Sequence, residues 1–287
     1  MAVEKWVATT NGWPILCSLI AKGGLSSEAR PLFNSPQLKD RWMLNETNIT
    51  TEIEVNGFAI REAALSSHEV EKLVLALEKI AEDGPVRKRG GVFAIRNLLD
   101  ASSEIRSLAH SSIVRQLVEP ILGSEFLPVR GILFDKIPDA NWKVPWHQDV
   151  TIAVQDKVEA EGFGPWSVKA DVVHVQPPPS ILEHMLSVRL HLDDCGEENG
   201  ALRVISGSHK HGRIPEAQIQ SIRDISHESV CSVKSGGALL MRPLLLHASS
   251  PSRIPGHRRV VHIDFAAVSL PSGMRWFSEA TPISSLN

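Results

Sequence analysis

Tyrosine does not occur anywhere in the 287 residues, an absence for which we have no physical account. Cysteine is scarce and scattered: Cys17, Cys195 and Cys231 are odd in number and no C-x-x-C pairs them. That excludes a zinc knuckle and a disulfide framework, and suits a reducing compartment. No basic surplus exists either. The formal net charge is −3, which argues against a nucleic-acid partner. Long apolar runs are missing too. The piece "WPILCSLIA" at 13–21 is shorter than the roughly 20 residues a membrane span needs. It has no basic segment before it and no small-residue cleavage site, so a signal peptide is not expected. The sequence therefore predicts a soluble, cytoplasmic chain with no membrane partner, and the sequons at Asn45 and Asn48 carry no weight.

What remains is the composition of an ordinary globular protein, 43% hydrophobic and 22% charged, enough for a substantial core. Residues 1–50 mix Pro, Gly, Ser and Asn with scattered apolar residues and read as an irregular arm, with a short helix at 36–44. "EIEVNGFAIRE" (52–62) alternates about Asn56-Gly57 and predicts a short strand pair. "SSHEVEKLVLALEKIAEDG" (66–84) predicts a helix capped by Ser66 or Ser67, with an apolar stripe of Val70, Leu73, Leu77 and Ile80. "GGVFAIRNLL" (90–99) returns to strand character. One or two helices follow over 102–123, with Pro120 in the last turns.

From about 126 onward, strand patterns separated by Gly, Pro and Asn turns dominate. Helices followed by a run of strands predict an α+β, mainly β, chain with a closed antiparallel core and a ligand site at its mouth. The expected organisation is an arm over 1–50 and one domain over 51–287. Residues 155–181, with three consecutive prolines, interrupt the strands. They read as a lid over the mouth or as a surface insertion, the two being open alternatives.

Three H-x-D triplets stand out, at 147–149, 191–193 and 262–264. With 12 histidines in the chain, chance accounts for roughly half of one such triplet, so the pattern alone selects nothing. Chemistry discriminates better. An open iron site takes two histidines and one carboxylate on one face of the ion. Residues i and i+2 of a strand point the same way, so H-x-D supplies two convergent ligands. The third must come from another strand. No histidine follows His262, and Asp193 and Asp194 look like turn formers. His147 and Asp149, by contrast, open a long run of strands.

The segment 236–265 reads as a hairpin with His247 closing one limb and Arg258 opening the other. Such a pairing suits a dicarboxylate cosubstrate. Its near carboxylate and keto oxygen chelate the metal, and its far carboxylate needs a fixed planar cation. Alternation places Arg258, Val260, His262 and Asp264 on a semi-polar face and Arg259, Val261, Ile263 and Phe265 on an apolar one. The first face suits a wet interior, which favours Arg258 as the inward arginine.

Together, "PWHQD" at 145–149, "ENGALRVISGSHKHG" at 198–212 and "HASSPSRIPGHRR" at 247–259 resemble the phytanoyl-CoA dioxygenase family of non-haem Fe(II)- and 2-oxoglutarate-dependent oxygenases. The resemblance spans about 52–270. It implies a double-stranded β-helix (jelly roll, cupin-like) flanked by N-terminal helices, with His147, Asp149 and His247 as iron ligands. It implies further that Arg258 and Ser249 contact 2-oxoglutarate, with Arg189 and Ile132 in the same pocket. Arg189 departs from the family, where an aromatic can stand, and reads equally as a second cation or as a structural ion pair. The implied reaction takes Fe(II), 2-oxoglutarate and O2, oxidises a C–H bond of a small molecule, and releases succinate and CO2. Asp149 favours hydroxylation or a related oxidation, since halogenating relatives have a small residue there. Trp166 and His174 are candidate substrate contacts. No basic groove suited to a long acyl-CoA is evident. A monomer or homodimer is expected. The alternatives are a non-catalytic jelly-roll binding protein and a cupin-type metalloenzyme that does not use 2-oxoglutarate.

Overall fold

The computed structural model describes residues 48–80, 86–88, 92–138, 141–169, 171–254 and 256–280. The chain divides into Met1–Asn45 and Glu46–Asn287, and every element below belongs to the second unit. The arm expected before residue 50, with Cys17 and the helix at 36–44, lies outside the described residues apart from 48–50.

The chain enters through helix α1 (Ile49–Asn56) and strand β1 (Phe58–Arg61). This corrects the strand pair expected over 52–62. The Asn48 side chain accepts the Thr50 amide at 3.0 Å and caps the helix start. Gly57, at φ +82°, takes the left-handed conformation that ends it, its amide bonded to Ile53 O. Asn56-Gly57 is thus a helix stop rather than a hairpin turn, and end-capping outweighs the strand preference of Ile53 and Val55.

Helix α2 (Ser67–Ile80) follows as expected. Ser66 is its cap: its Oγ accepts the Glu69 amide, while the Glu69 carboxylate accepts the Ser66 amide at 2.6 Å. This is a reciprocal capping box. After β2 (Val86–Lys88) and β3 (Val92–Ile95) come three short helices, α3 (Leu98–Ala101), α4 (Ser103–Ala109) and α5 (Ser112–Leu122). From there the chain is mostly strand. In order these are β4 (Leu127–Lys136), β5 (Val144–His147), β6 (Ile152–Val154), β7 (Trp166–Lys169) and β8 (Val172–Val175). Helix α6 (Pro179–Glu183) precedes β9 (Met185–His191) and β10 (Leu202–Ile205). Helix α7 (Glu216–Ile225) leads to β11 (Glu228–Cys231), β12 (Ala238–Met241), β13 (His247–Ser249) and β14 (Arg258–Ala266).

These strands form a seven-stranded sheet ordered β1-β12-β9-β14-β4-β3-β2, a four-stranded sheet ordered β11-β10-β13-β5, and a three-stranded sheet β6-β8-β7. The two larger sheets are the layers of a jelly roll, as the sequence predicts. The strand pairings are antiparallel throughout. On the outer face of the large sheet, Leu133, Val261, Leu190, Ile263, Val188 and Phe265 pack under Leu73, Leu77, Ile105, Val114 and Val118 of the helices. Burying this apolar area is the main stabilising term, at about 25 cal/mol per Å².

The inner face carries the polar residues of the same strands. In the β4/β14/β9 register, Phe134 faces Val260 and Val260 faces His191. The next row is Ile132, His262 and Arg189, and the next Arg130, Asp264 and Ser187. Arg258 faces Lys136 at the strand end. Alternation along one strand thus separates an apolar core from the wall of a cavity.

The stretch 155–181 is not a structureless loop. It holds the β7/β8 hairpin, which joins β6, and Val154, Val175 and Leu182 pack around the buried Trp276. Among the described residues no helix is long and apolar enough to cross a membrane.

Candidate metal centre and cosubstrate pocket

Cross-strand register builds the site. β13 pairs with β5 so that His247 lies directly opposite His147, their ring centroids 4.2 Å apart. Asp149 follows two residues after His147, its amide bonded to Pro243 O at 2.9 Å. His147 Nε2 is 3.8 Å from Asp149 Oδ1, and His247 Nε2 is 3.7 Å from Asp149 Oδ2. Among the described residues this is the one set of three or more His, Cys, Asp or Glu whose ligand atoms lie within 4.8 Å of one another.

Hydrogen bonding fixes which nitrogens are free. His147 Nδ1 lies 2.8 Å from Pro145 O, and His247 Nδ1 lies 2.9 Å from Leu245 O. A carbonyl oxygen only accepts, so each Nδ1 carries the proton and donates. Each Nε2 is left with a lone pair directed at Asp149. Burial pushes the His247 imidazole down to about 4, against the pull of Asp149, which keeps it a neutral ligand. Asp149 is opposed by burial, but His247, His147, His262 and Arg130 together hold its carboxyl below the usual range. Two imidazoles and one carboxylate, with Nε2–Oδ separations of 3.7 and 3.8 Å, are a donor set that suits a divalent iron.

Sequence reasoning missed the residue that holds this loop. Gln148, buried between the two proposed ligands, donates from Nε2 to Leu244 O at 2.6 Å and Gly212 O at 2.8 Å. Its Oε1 accepts the Ile214 amide at 2.7 Å. All three bonds reach residues distant in the chain, so no local signal marks them.

The triad opens on a cavity of about 240 Å³ between the two larger sheets. Ile132, Arg189, Ser249 and Arg258, which the family resemblance assigns to a cosubstrate pocket, all line it. Arg258 is 3% exposed, and its guanidinium donates to Gly200 O at 2.8 Å. Gly200 is the turn glycine of "ENG". At φ +67°, a Cβ there would sit 2.5 Å from Ser250 O, so glycine is required for this approach. Ser249 Oγ donates to the same Gly200 carbonyl and accepts from Lys136 Nζ at 2.7 Å. Lys136, which the sequence did not single out, is itself buried. Burial, then the Arg258 charge, push its ammonium down to about 7.

Among the described residues Arg189 forms no carboxylate pair. Its Nη1 donates to His262 Nδ1 at 3.0 Å and its guanidinium stacks over Phe134, so it remains a cavity cation. His262 Nε2 donates to Asp264 Oδ1 at 2.8 Å, and Asp264 also accepts from Ser187 and Arg130. The third H-x-D triplet is therefore occupied by an internal polar network. In the second, Asp193 takes both Arg259 Nε and Nη2, at 2.9 and 2.7 Å.

Trp166 and His174 do not line this cavity. Trp166 packs on the Trp276 cluster, and His174 is buried beside an adjoining small hollow, its Nδ1 donating to Val172 O. From that hairpin it is Lys169 that reaches the main cavity.

The sequence pattern of the family described as phytanoyl-CoA dioxygenase (PhyH) matches residues 53–260. The chain belongs to this family. Comparison with curated proteins finds no match. Solved structures of the same fold include AviO1 from Streptomyces viridochromogenes Tue57, at 22% identity and TM-score 0.58, covering 79% of this chain and 97% of that one. EctD from S. alaskensis, with 2-oxoglutarate and 5-hydroxyectoine, aligns at 19% identity and TM-score 0.60, covering 78% of each chain. The carbocyclase SnoK from nogalamycin biosynthesis, described as non-heme and alpha-ketoglutarate-dependent, aligns at 14% identity and TM-score 0.60, covering 77% of this chain and 83% of that one. At these identities the likeness establishes the shared fold.

Proposed function

We propose that this member of the family is an Fe(II)- and 2-oxoglutarate-dependent dioxygenase that hydroxylates, or otherwise oxidises, a C–H bond of a small organic molecule. The observation that carries this reading is the meeting of His147 Nε2, His247 Nε2 and the Asp149 carboxylate in the wall of a cavity that Arg258 also lines. Family membership, and the 2-oxoglutarate in the EctD structure, support it.

His147, Asp149 and His247 would hold the iron on one face, leaving the remaining positions to cosubstrate and O2. When bound, iron couples the reduction of O2 to cosubstrate decarboxylation: R–H, 2-oxoglutarate and O2 become R–OH, succinate and CO2. The chain's own work is orientation. Arg258, held by Gly200 O, presents a charged planar donor to the far carboxylate of 2-oxoglutarate. The Ser249 hydroxyl, aligned by Lys136, sits beside it. The Nδ1 donations to Pro145 and Leu245 keep both imidazole rings in one tautomer and one orientation.

Anaerobic titration of the full chain with Fe(II) and then 2-oxoglutarate tests this. A visible charge-transfer band is expected in the wild type, lost in His147→Ala and weakened at least tenfold in cosubstrate affinity in Arg258→Lys. No band in the wild type would overturn the reading.

A further inference from the structure

Lys136 ends β4 with 1% of its surface exposed, and the proposed chemistry leaves its buried charge unused. Its Nζ donates to Ser249 Oγ at 2.7 Å and to Ser250 O, and lies 5.6 Å from the centre of the Trp142 ring. Ser249 Oγ commits its own hydrogen to Gly200 O at 3.0 Å, so it offers Lys136 only a lone pair. Two oxygen acceptors and an aromatic face therefore surround Nζ. Three N–H groups satisfy them, which is the ammonium form. A neutral amine would turn a lone pair toward one of the three.

Among the described residues no carboxylate bears on that charge. The groups that do are Arg258, opposite it across the β4/β14 register, the Cys195 thiol in the loop after β9, and Arg189, two rows along the sheet. Asp135, its neighbour in β4, points to the other face of the sheet, where it accepts the Arg258 amide and lies 2.7 Å from His257 Nδ1. Burial, then Arg258, hold the Lys136 ammonium down to about 7, while the hydrogen bonds around it suit the charged form. An anion held beside Arg258 relieves that conflict.

Gly200 O links the two cations. It accepts from Arg258 Nη1 at 2.8 Å as well as from Ser249. The chain Lys136–Ser249–Gly200–Arg258 thus ties the lysine to the guanidinium that receives the far carboxylate of 2-oxoglutarate in the reading above. A deprotonated Lys136 would present its lone pair to the Ser249 hydroxyl and draw its hydrogen away from Gly200 O.

We propose that Lys136 is a positioning residue of the cosubstrate site: its ammonium aligns Ser249 beside Arg258, and binding of the diacid draws a proton onto it. The inference rests on the oxygenase reading and adds to it a proton that accompanies the cosubstrate. Its sign follows from linkage. Below about 7 Lys136 is charged with or without the diacid, and affinity is flat. Above that value the free protein has lost the proton that the complex holds, so affinity falls as pH rises.

The test is anaerobic titration of the Fe(II)-saturated full chain with 2-oxoglutarate, read through the visible band between about pH 6.5 and 8.5. The dissociation constant is expected to rise at least fivefold across this range in the wild type and less than twofold in Lys136→Met. Calorimetry of the wild type near pH 8, in two buffers of different ionisation heat, needs no variant and decides the matter if Lys136→Met does not fold. An uptake of roughly half a proton or more per 2-oxoglutarate is expected there. A band whose affinity does not change with pH, an absence of proton uptake, or a wild-type pH profile kept by Lys136→Met would overturn the proposal and leave the oxygenase reading standing. No band in the wild type would overturn both.

Discussion

Gln148→Met isolates what the middle residue of "HQD" contributes. Methionine matches glutamine in length and volume, so the substitution leaves no cavity and removes only polar partners. Three are lost: Leu244 O, Gly212 O and the Ile214 amide, all bonded to Gln148 at 2.6–2.8 Å. A buried polar group left unpaired costs about 1–3 kcal/mol, and local relaxation recovers part of it, so roughly 3–5 kcal/mol of stability should go. That is a large share of the usual 5–15 kcal/mol but leaves a folded protein. The second effect is on the metal. The bonds tie the loop carrying His147 and Asp149 to Leu244, three residues before His247, so one side chain sets the spacing of all three proposed ligands. Freeing it should lower Fe(II) affinity about 10- to 100-fold, the usual scale for groups that orient ligands. Urea denaturation of the metal-free protein reads the first effect and anaerobic Fe(II) titration the second. A variant that loses stability but binds Fe(II) as tightly as the wild type would refute the positioning role and leave Gln148 a structural residue only.

The third H-x-D triplet yields the opposite pattern. Asp264→Asn leaves the guanidinium of Arg130 without its charge partner, which should cost about 3–5 kcal/mol, while Fe(II) affinity stays within threefold. A large loss of iron affinity at unchanged stability would return His262 and Asp264 to the list of ligands. For pH, burial holds His174 near 4 in the folded chain against 6.5 when unfolded. Between those values the unfolded chain takes up a proton that the folded chain does not, so stability falls as pH drops through the window, by roughly 3 kcal/mol from this group. His174→Asn, whose amide can still donate to Val172 O, should flatten the urea-midpoint profile from pH 6.5 to 4. An unchanged slope would show that His174 does not carry it.

What was legible in the sequence is what strand geometry makes local. The period of two places Arg258 with Val260, His262 and Asp264, and the structure keeps that face as read, whereas β5 ends at His147 and Asp149 converges with it from the loop beyond. Where the backbone's own end-capping competes with a strand-like pattern, as at 49–57, alternation misleads. The residues that sequence reasoning passed over share one property: their role is set by what lies opposite. Gln148 acts on residues about one quarter to one third of the chain away, and Lys136 acts on a serine 113 positions later. Nothing in "WHQD" or "FDKI" announces either.

Charge shows the same division most clearly. A net charge of −3 argues against a nucleic-acid surface, and no run of basic residues suggests a basic pocket. Yet Arg96, Arg130, Lys169, Arg189 and Arg258 come from five different strands or strand ends and meet at one wall. Net charge sums over the whole surface, whereas a ligand responds to the few charges within a Debye length in a low-dielectric cleft. A nearly neutral chain can therefore present a strongly cationic site. Arg258, the one arginine that alternation placed inside, meets Arg96, Arg130 and Arg189 at this wall only through the pairing of strands distant in the sequence.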